Sequence, residues 1–163
     1  MVAFSAASPA KGVYQTAPEF IAEVFGDASP EVSYLYLTPE RKDIAAEIMD
    51  RRVRGIRTRY WQSGNTTAWI MEEIGKELPI TIGVVVCDNR IERVKILAFR
   101  ESRGWEVRYP AFTAQYHNAK ITADRDLDKH IDGITGATLS VRAVNKVATL
   151  ALYYHREATR QPE

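Results

Sequence analysis

The sequence predicts an α+β fold in which an antiparallel sheet packs against helices. Three observations support this prediction. Apolar residues recur at helical spacing near both ends of the chain. Between these ends, from Ile56 onward, the spacing changes to every second residue, as expected for strands. The helical and strand-like segments also occur in separate blocks rather than in alternation, which favours α+β over a parallel α/β fold.

Composition limits the classes of protein that this chain can belong to. Its 163 residues are 45% hydrophobic, enough for one domain with its own core. Twenty-two basic and 21 acidic residues give a net charge of +1, which argues against a polyanion-binding domain or a highly charged disordered chain. A single cysteine, Cys87, excludes an internal disulfide and a Cys-based zinc or iron–sulfur centre. The three scattered histidines do not suggest a metal site.

We expect one domain with short extensions at both ends. Residues 1–12 are predicted to be a flexible N-terminus, and residues 158–163 a polar tail. The domain spans residues 13–157, with a helical part over 13–55 and the sheet with its final helix over 56–157. The sequence contains no run of the roughly 20 apolar residues needed to cross a bilayer.

Local signals place the individual elements. Thr16 and Thr38 each stand just before a proline and predict two helix N-caps; Gly26 and Gly55 predict the ends of those helices. A first hairpin turns at residues 63–65. A second joins residues 79–87 to residues 91–99 through the turn Asp88-Asn89. The following stretch, residues 100–132, is predicted to be irregular and rich in aromatic residues, and residues 139–154 to form the final helix.

One segment that leads into the final helix carries a chemical signal. It reads Asp132-Gly133-Ile134-Thr135-Gly136-Ala137-Thr138-Leu139-Ser140. Its small residues leave the backbone open to a ligand, and a helix N-terminus suits an anion, above all phosphate. Arg142 follows in the first turns, where a helix normally carries acids; a bound phosphate would explain this cation. The plainer alternative is a tight turn with Thr138 or Ser140 as N-cap. Neither a P-loop nor a G-x-G-x-x-G fingerprint is present.

The segment resembles the D-x-x-[ST]-G-A-T motif of the FMN-binding domain family. That family includes the covalent-flavin subunits of sodium-pumping NADH:quinone reductase and of Rnf-type complexes. Residues 82–96 resemble its strand–turn–strand, residues 99–106 its R-E-[ST]-x-G segment, and residues 112–116 its F-x-x-[QF]-[FY] segment. In all, the resemblance covers residues 66–154. His117-Asn118 departs from the glycine that many members have after the aromatic residue.

The resemblance implies FMN as cofactor and Thr138 as its attachment residue. In the family, the last threonine of the motif is esterified to the FMN phosphate by a flavin transferase. Asp132 would order the turn or position the metal and FMN of the transferase. Glu101 could accept a hydrogen bond from the flavin, and the aromatic residues could either stack on the isoalloxazine ring or plug the edge of the sheet. With Thr138, the expected cofactor-binding residues are Asp132, Gly133, Thr135, Gly136, Ala137, Leu139, Arg142, Glu101, Trp105, Tyr109 and Phe112.

The expected function is an electron-transfer domain that carries one FMN and exchanges electrons with protein partners. No nucleophile–base pair and no nicotinamide site is visible, so we predict a redox carrier without catalytic residues of its own. Relatives that are flavinylated in this way mostly face the outside of the bacterial inner membrane. The resemblance therefore implies an extracytoplasmic location, periplasmic or membrane-associated.

Two alternatives stay open at this point. The chain could bind FMN without a covalent bond, or it could be a non-redox binding module. The second would use a basic run at residues 51–59, namely Arg51, Arg52, Arg54, Arg57 and Arg59. Tyr60 and Trp61 follow this run, and arginines beside aromatic residues are typical of nucleic-acid binding. Cations also gather at helix C-termini for dipole reasons, so we expect no nucleic-acid binding.

Overall fold

The computed structural model describes residues 12–160, and within them the α+β prediction is confirmed. Residues 1–11 of the predicted flexible N-terminus, and residues 161–163 of the tail, lie outside the described residues. The elements in chain order are α1 (Ala17–Phe25), β1 (Glu31–Tyr36), α2 (Pro39–Met49), β2 (Arg57–Ser63), β3 (Thr66–Ile74), β4 (Pro79–Cys87), β5 (Arg90–Ala98), a short α3 (Pro110–Thr113) and a long α4 (Thr138–Thr159). Single 3-10 turns at Trp105–Arg108 and Ala114–Tyr116 flank α3.

The five strands form one antiparallel sheet in chain order, β1-β2-β3-β4-β5. The β2–β3 and β4–β5 hairpins turn where the sequence predicts. In the second hairpin, Asp88 and Asn89 have φ values of +52° and +64°. Two consecutive left-handed residues are what a type I′ turn requires, and Asp and Asn tolerate that conformation better than most residues.

Helices cover both faces of the sheet, which explains why its central strands are apolar on both sides. Helix α4 packs on one face, where Trp69, Val84 and Val147 are fully buried in the main core. Helix α1 packs on the other face, where Phe20 lies directly on Gly83. A Cβ atom at Gly83 would come within 2.6 Å of the Phe20 ring, so this contact requires glycine. The sheet is therefore packed against helices on both sides.

The N-terminal part differs from the prediction, because it is not purely helical. Strand β1 lies between α1 and α2 and pairs with β2 at the edge of the sheet. Its apolar residues Val32, Tyr34 and Tyr36 face outward, with exposed fractions of 52%, 41% and 56%, whereas Leu35 faces the core. The strand has the period-two alternation of Val32, Tyr34 and Tyr36, but these residues point outward and Leu35 is its buried residue.

Two predicted helix ends were also wrong. Helix α2 ends at Met49, with Asp50 in the left-handed conformation, and not near Gly55. Helix α4 continues five residues beyond Tyr154, to Thr159, so the first two residues of the predicted tail at 158–163 are helical. The reason is His155, which looks like the start of a polar tail in the sequence but is 1% exposed in the fold. Within residues 12–160, no helix is long and apolar enough to cross a membrane.

Candidate functional site

The N-terminal end of α4 borders a cavity that brings together two of the segments singled out in the sequence. This cavity has a volume of about 460 Å³ and is lined by Lys76, Glu101, Ser102, Arg103 and residues 136–140. The Arg100–Gly104 stretch and the turn before α4 therefore face each other across one space. Ligand cavities in proteins typically have about 300–1,000 Å³, so the space suits part of a cofactor.

Helix α4 begins at Thr138 without a side-chain cap. The N-cap position is held by Ala137, whose side chain has no acceptor, and no side chain among residues 12–160 caps this end. The alternative considered for this segment, with Thr138 or Ser140 as N-cap, is therefore not what the structure shows. Thr138 and Leu139 are exposed. The N–H groups of the first helical turn are left for a ligand or for water, and the hydroxyl-bearing Thr138 is the first residue among them.

The turn before α4 contains two glycines, of which the described structure requires only Gly136. Gly136 has a φ of +83°, and a Cβ atom there would meet nothing within 4 Å. Backbone conformation is therefore the reason for glycine at Gly136. Gly133 is not in the left-handed region and also faces open space, so contacts within the described chain do not require its small size. An N–H bond from Ala137 to Ile134 O, 2.9 Å long, closes the turn.

A close contact between Gly104 and Ser140 fixes the Arg100–Gly104 stretch to the first turn of α4. Gly104 has a φ of +88°, and a Cβ atom there would lie 2.4 Å from Ser140 Oγ. Both the conformation and the space therefore exclude a side chain at this position. Sequence reasoning did not single out this pair, although Gly104 is the glycine of the R-E-[ST]-x-G resemblance.

Glu101 holds the β3–β4 turn beside the cavity. Its Oε1 accepts hydrogen bonds from the backbone N–H groups of Glu77, Leu78 (2.7 Å) and Lys76 (2.9 Å). The bonds from Glu77, Leu78 and Lys76 hold the pKa of the Glu101 carboxyl below its usual value, with the Glu77 bond the largest cause. One carboxylate oxygen of Glu101 thus stabilises the β3–β4 turn. The predicted contact of Glu101 with flavin stays a prediction.

The cations at this cavity are not the one that the sequence suggested. Lys76 and Arg103 line it, both exposed. Arg142 lies on the exposed surface of α4 and is not among the lining residues. Because Lys76 and Arg103 come from distant turns, their convergence depends on the tertiary fold and had no local signal in the sequence.

A second cavity, of about 450 Å³, contains several of the other predicted residues. It is lined by Tyr109, Phe112, Asp132, Gly133, Glu106, Ala111, Gln115 and Ile134. Trp105 contacts Tyr109 edge to face, with ring centroids 5.4 Å apart, but lines neither cavity. Thr135 is exposed and also lines neither. Nine of the twelve predicted cofactor residues thus line one of two cavities that both border the stretch 132–140, whereas Trp105, Thr135 and Arg142 line neither.

Gln115 positions Asp132 through the backbone. The Asp132 N–H donates to Gln115 Oε1 at 2.7 Å, and Gln115 Nε2 donates to Asp132 O at 3.3 Å. The Asp132 side chain itself is 86% exposed, and its ionic neighbour is the equally exposed His130, at 3.4 Å. The carboxylate therefore does not order the turn, contrary to the first of its two predicted roles. Its presentation to a transferase stays a prediction.

The aromatic residues differ in their availability to a ligand. Phe112 is 4% exposed and packs edge to face on the fully buried Tyr116. The Tyr116 hydroxyl donates to Asn145 Oδ1, and burial raises its pKa. Trp105 and Tyr109, in contrast, are 41% and 42% exposed. Phe112 thus belongs mainly to the core, whereas Trp105 and Tyr109 offer ring surface to a planar ligand.

A family model matches part of the chain. The family model described as the FMN-binding domain matches residues 75–153, just under half of the chain. Searches of curated proteins and of solved structures returned no match. The matched stretch contains all the predicted site residues, from Glu101 to Arg142, together with Lys76 and Arg103. Residues 75–153 are therefore similar to the FMN-binding domain family.

Proposed function

We propose that this chain is an electron-transfer domain that carries one FMN, joined by a phosphoester bond to Thr138. One observation supports it most: Thr138 is exposed, stands first in an uncapped helix, and borders a cavity with two cations. The family match encloses this site. The proposal assigns the motif residues to FMN attachment, and not to a simple helix cap.

The residues around Thr138 fit an FMN phosphate. The uncapped N–H groups of the first turn, with Lys76 and Arg103 nearby, supply positive potential. A phosphodiester carries a charge of about −1, which this end of the helix can bind. In the attachment step, Thr138 Oγ forms the new bond to phosphorus and loses its proton. The transferase supplies an activated flavin nucleotide, whose leaving group departs from the same phosphorus.

The second cavity and the exposed aromatic pair fit the flavin ring. Trp105 and Tyr109 present ring surface, and Tyr109 also borders the cavity with Phe112 and Gly133. When bound, FMN supplies reversible uptake of electrons. The chain's own residues would hold the ring, limit its contact with water and leave one side open to a redox partner.

The partners follow from the same reasoning. Asp132 projects an exposed carboxylate from a backbone that Gln115 holds in place, which suits recognition by a flavin transferase. The electron donor and acceptor would be proteins. An extracytoplasmic location, periplasmic or membrane-associated, remains our expectation from the family resemblance.

The test is production of the full chain with and without a flavin transferase, followed by denaturation. The proposal predicts that the chain is yellow, and that its mass after denaturation has increased by FMN less one water, only when the transferase is present during production. Its colour should bleach reversibly on stoichiometric reduction. Colour that separates from the denatured chain would show non-covalent FMN instead. A colourless chain of unchanged mass would overturn the flavin proposal and favour a non-redox binding module.

A further inference from the structure

The basic run at residues 51–59 borders a third cavity that the proposed flavin function does not use. Its volume is about 740 Å³, larger than either cavity beside the 132–140 stretch. The loop after α2, the start of β2, the end of β3 and two residues of α4 surround it. It shares no lining residue with the cavity at Thr138.

The floor of this third cavity is apolar. Met49, Leu150 and Tyr154 line it and are 1%, 4% and 2% exposed, so they belong to the core while their surfaces border the cavity. Leu37 and Met71 extend the same surface. A floor of this kind gains free energy when a ligand's apolar part displaces water from it.

The rim of the cavity is positively charged. Four arginines line it, Arg51, Arg52, Arg54 and Arg57, against two acids, Glu72 and Glu73. Arg51 Nε donates to both oxygens of the buried Glu73, at 3.1 and 3.2 Å, so this pair forms a fixed wall. The guanidinium group of Arg57 lies over the Tyr34 ring, 3.9 Å from its centroid. In the described part of the chain, the side chains of Arg52 and Arg54 make no hydrogen bond, ion pair or cation–π contact. These two exposed guanidinium groups are therefore available at the rim.

The end of α2 does not hold these arginines in place. Helix α2 ends at Met49, its last turn contains no basic residue, and Asp50 closes it in the left-handed conformation. Arg52 and Arg54 follow close to this end, where the helix dipole favours cations, but in the described part of the chain neither side chain donates a hydrogen bond to a carbonyl of α2. Both guanidinium groups therefore stay available at the rim of the apolar cavity.

We propose that this cavity binds a small organic anion with an apolar body. The apolar part would lie on Met49, Leu150 and Tyr154, and a carboxylate, sulfonate or phosphate group would bind Arg52 and Arg54. A concave apolar floor favours a small molecule over the backbone of a nucleic acid, which needs an extended basic surface. The proposal does not rest on FMN attachment, because the two sites have no lining residue in common.

The test compares two fluorescent probes with the same aromatic body, anilinonaphthalene sulfonate and its uncharged analogue phenylnaphthylamine. Both are titrated into the full chain produced without a flavin transferase. The sulfonate should bind at one site, at least about tenfold more tightly than the uncharged probe. In Arg52→Gln/Arg54→Gln this preference should disappear, while the weaker, shared affinity of the apolar body remains.

A matched control removes two positive charges elsewhere. Arg90→Gln/Lys120→Gln changes the net charge equally at exposed positions outside the cavity, and should keep the preference for the sulfonate. Equal affinity of the wild-type chain for both probes would overturn the proposal. So would a preference that survives in Arg52→Gln/Arg54→Gln, or one that the control variant removes as well. The ratio of the two probe affinities, in the wild type and in each variant, does not depend on whether Thr138 carries flavin.

Discussion

The two ends of helix α4 are built in opposite ways. At its N-terminal end, Thr138 and Leu139 are exposed and no side chain of the described residues caps the helix. At its C-terminal end, Tyr153, Tyr154 and His155 are almost completely buried. The backbone N–H groups of the first turn are thus left without a side-chain cap where the ligand is proposed. Towards the other end, the side chains of the helix are packed in the core, although the Tyr153 hydroxyl is also buried there without a hydrogen-bond partner among the described residues.

The C-terminal end contains a hydrogen-bond network that defines the state of His155. The Asn89 N–H points at His155 Nε2 at 3.4 Å, and a backbone N–H can only donate. Nε2 is therefore the acceptor, and Nδ1 carries the proton and donates to Thr67 Oγ1 at 2.7 Å. Trp69 Nε1 donates to the same oxygen at 2.8 Å. This assignment makes His155 a neutral structural residue.

The largest effect is expected from Gly104→Ala, which lies beside the N-terminal end of α4. The substitution combines a φ of +88° with a Cβ atom 2.4 Å from Ser140 Oγ. We expect a loss of about 3–4 kcal/mol in the free energy of unfolding, measured by denaturant titration, from strain and overpacking together. Adding Ser140→Ala should recover part of the loss. Equal losses with and without Ser140→Ala would show that the contact plays no role.

At the opposite end, protonation of His155 should destabilise the fold in acid. Burial lowers the pKa of His155 from 6.5 to about 4. Between these values the unfolded chain binds a proton that the folded chain does not. The contribution is therefore complete above pH 6.5 and is lost as the pH falls toward 4, by up to about 3 kcal/mol. Chemical denaturation at a series of pH values measures it.

Two histidine variants give the control for this pH dependence. His155→Gln should remove the loss of stability between pH 6.5 and pH 4. His130→Gln should keep it, because His130 is 86% exposed. If the wild type and His155→Gln show the same slope over this range, the buried neutral state assigned to His155 is wrong.

A smaller effect is expected when Glu101 loses its charge. Glu101→Gln keeps an acceptor for the N–H groups of Lys76, Glu77 and Leu78 but weakens all three bonds. We expect a loss of about 1–2 kcal/mol in the free energy of unfolding, and faster hydrogen exchange at residues 76–78. Glu77→Gln is the matched control, since its exposed side chain makes no bond within residues 12–160. Similar exchange in both variants would refute the role given to Glu101.

The smallest effect is expected from Gly136→Ala, which separates the cost of backbone strain from the cost of a steric contact. Gly136 has nearly the same φ as Gly104, +83°, but faces open space. Gly136→Ala should therefore cost about 1 kcal/mol of unfolding free energy, from backbone strain alone. The difference between Gly104→Ala and Gly136→Ala then measures the contact with Ser140. Similar costs for both variants would contradict the distinction.

Sequence reasoning predicted the elements with strong local signals. The two threonine caps, the Asp88-Asn89 turn and the motif before α4 could all be read from neighbouring residues. Strand β1 was missed although Val32 and Tyr34 alternate with period two, because it is only six residues long and lies between two helical segments. His155 was placed beyond the end of the final helix because its burial depends on Thr67 and Asn89, far away in the sequence.

The candidate site was also predicted only where neighbouring residues carried a signal. The local motif identified Thr138 and its neighbours directly. The cations Lys76 and Arg103 reach the cavity from separate turns, and Gln115 holds Asp132 across 17 residues. Such convergence is set by the tertiary fold and leaves no periodic or local pattern in the sequence. A signal for Gln115 did exist, because it occupies the Q position of the F-x-x-[QF]-[FY] resemblance.

The most direct test of the central proposal uses the two exposed threonines of the motif. Thr138 and Thr135 are three residues apart, but only Thr138 lines the cavity with Lys76 and Arg103. Thr138→Ala and Thr135→Ala are each produced with a flavin transferase and weighed intact after denaturation. We predict that Thr135→Ala keeps the mass increase of FMN less one water and that Thr138→Ala loses it. A flavinylated Thr138→Ala chain would contradict the proposal.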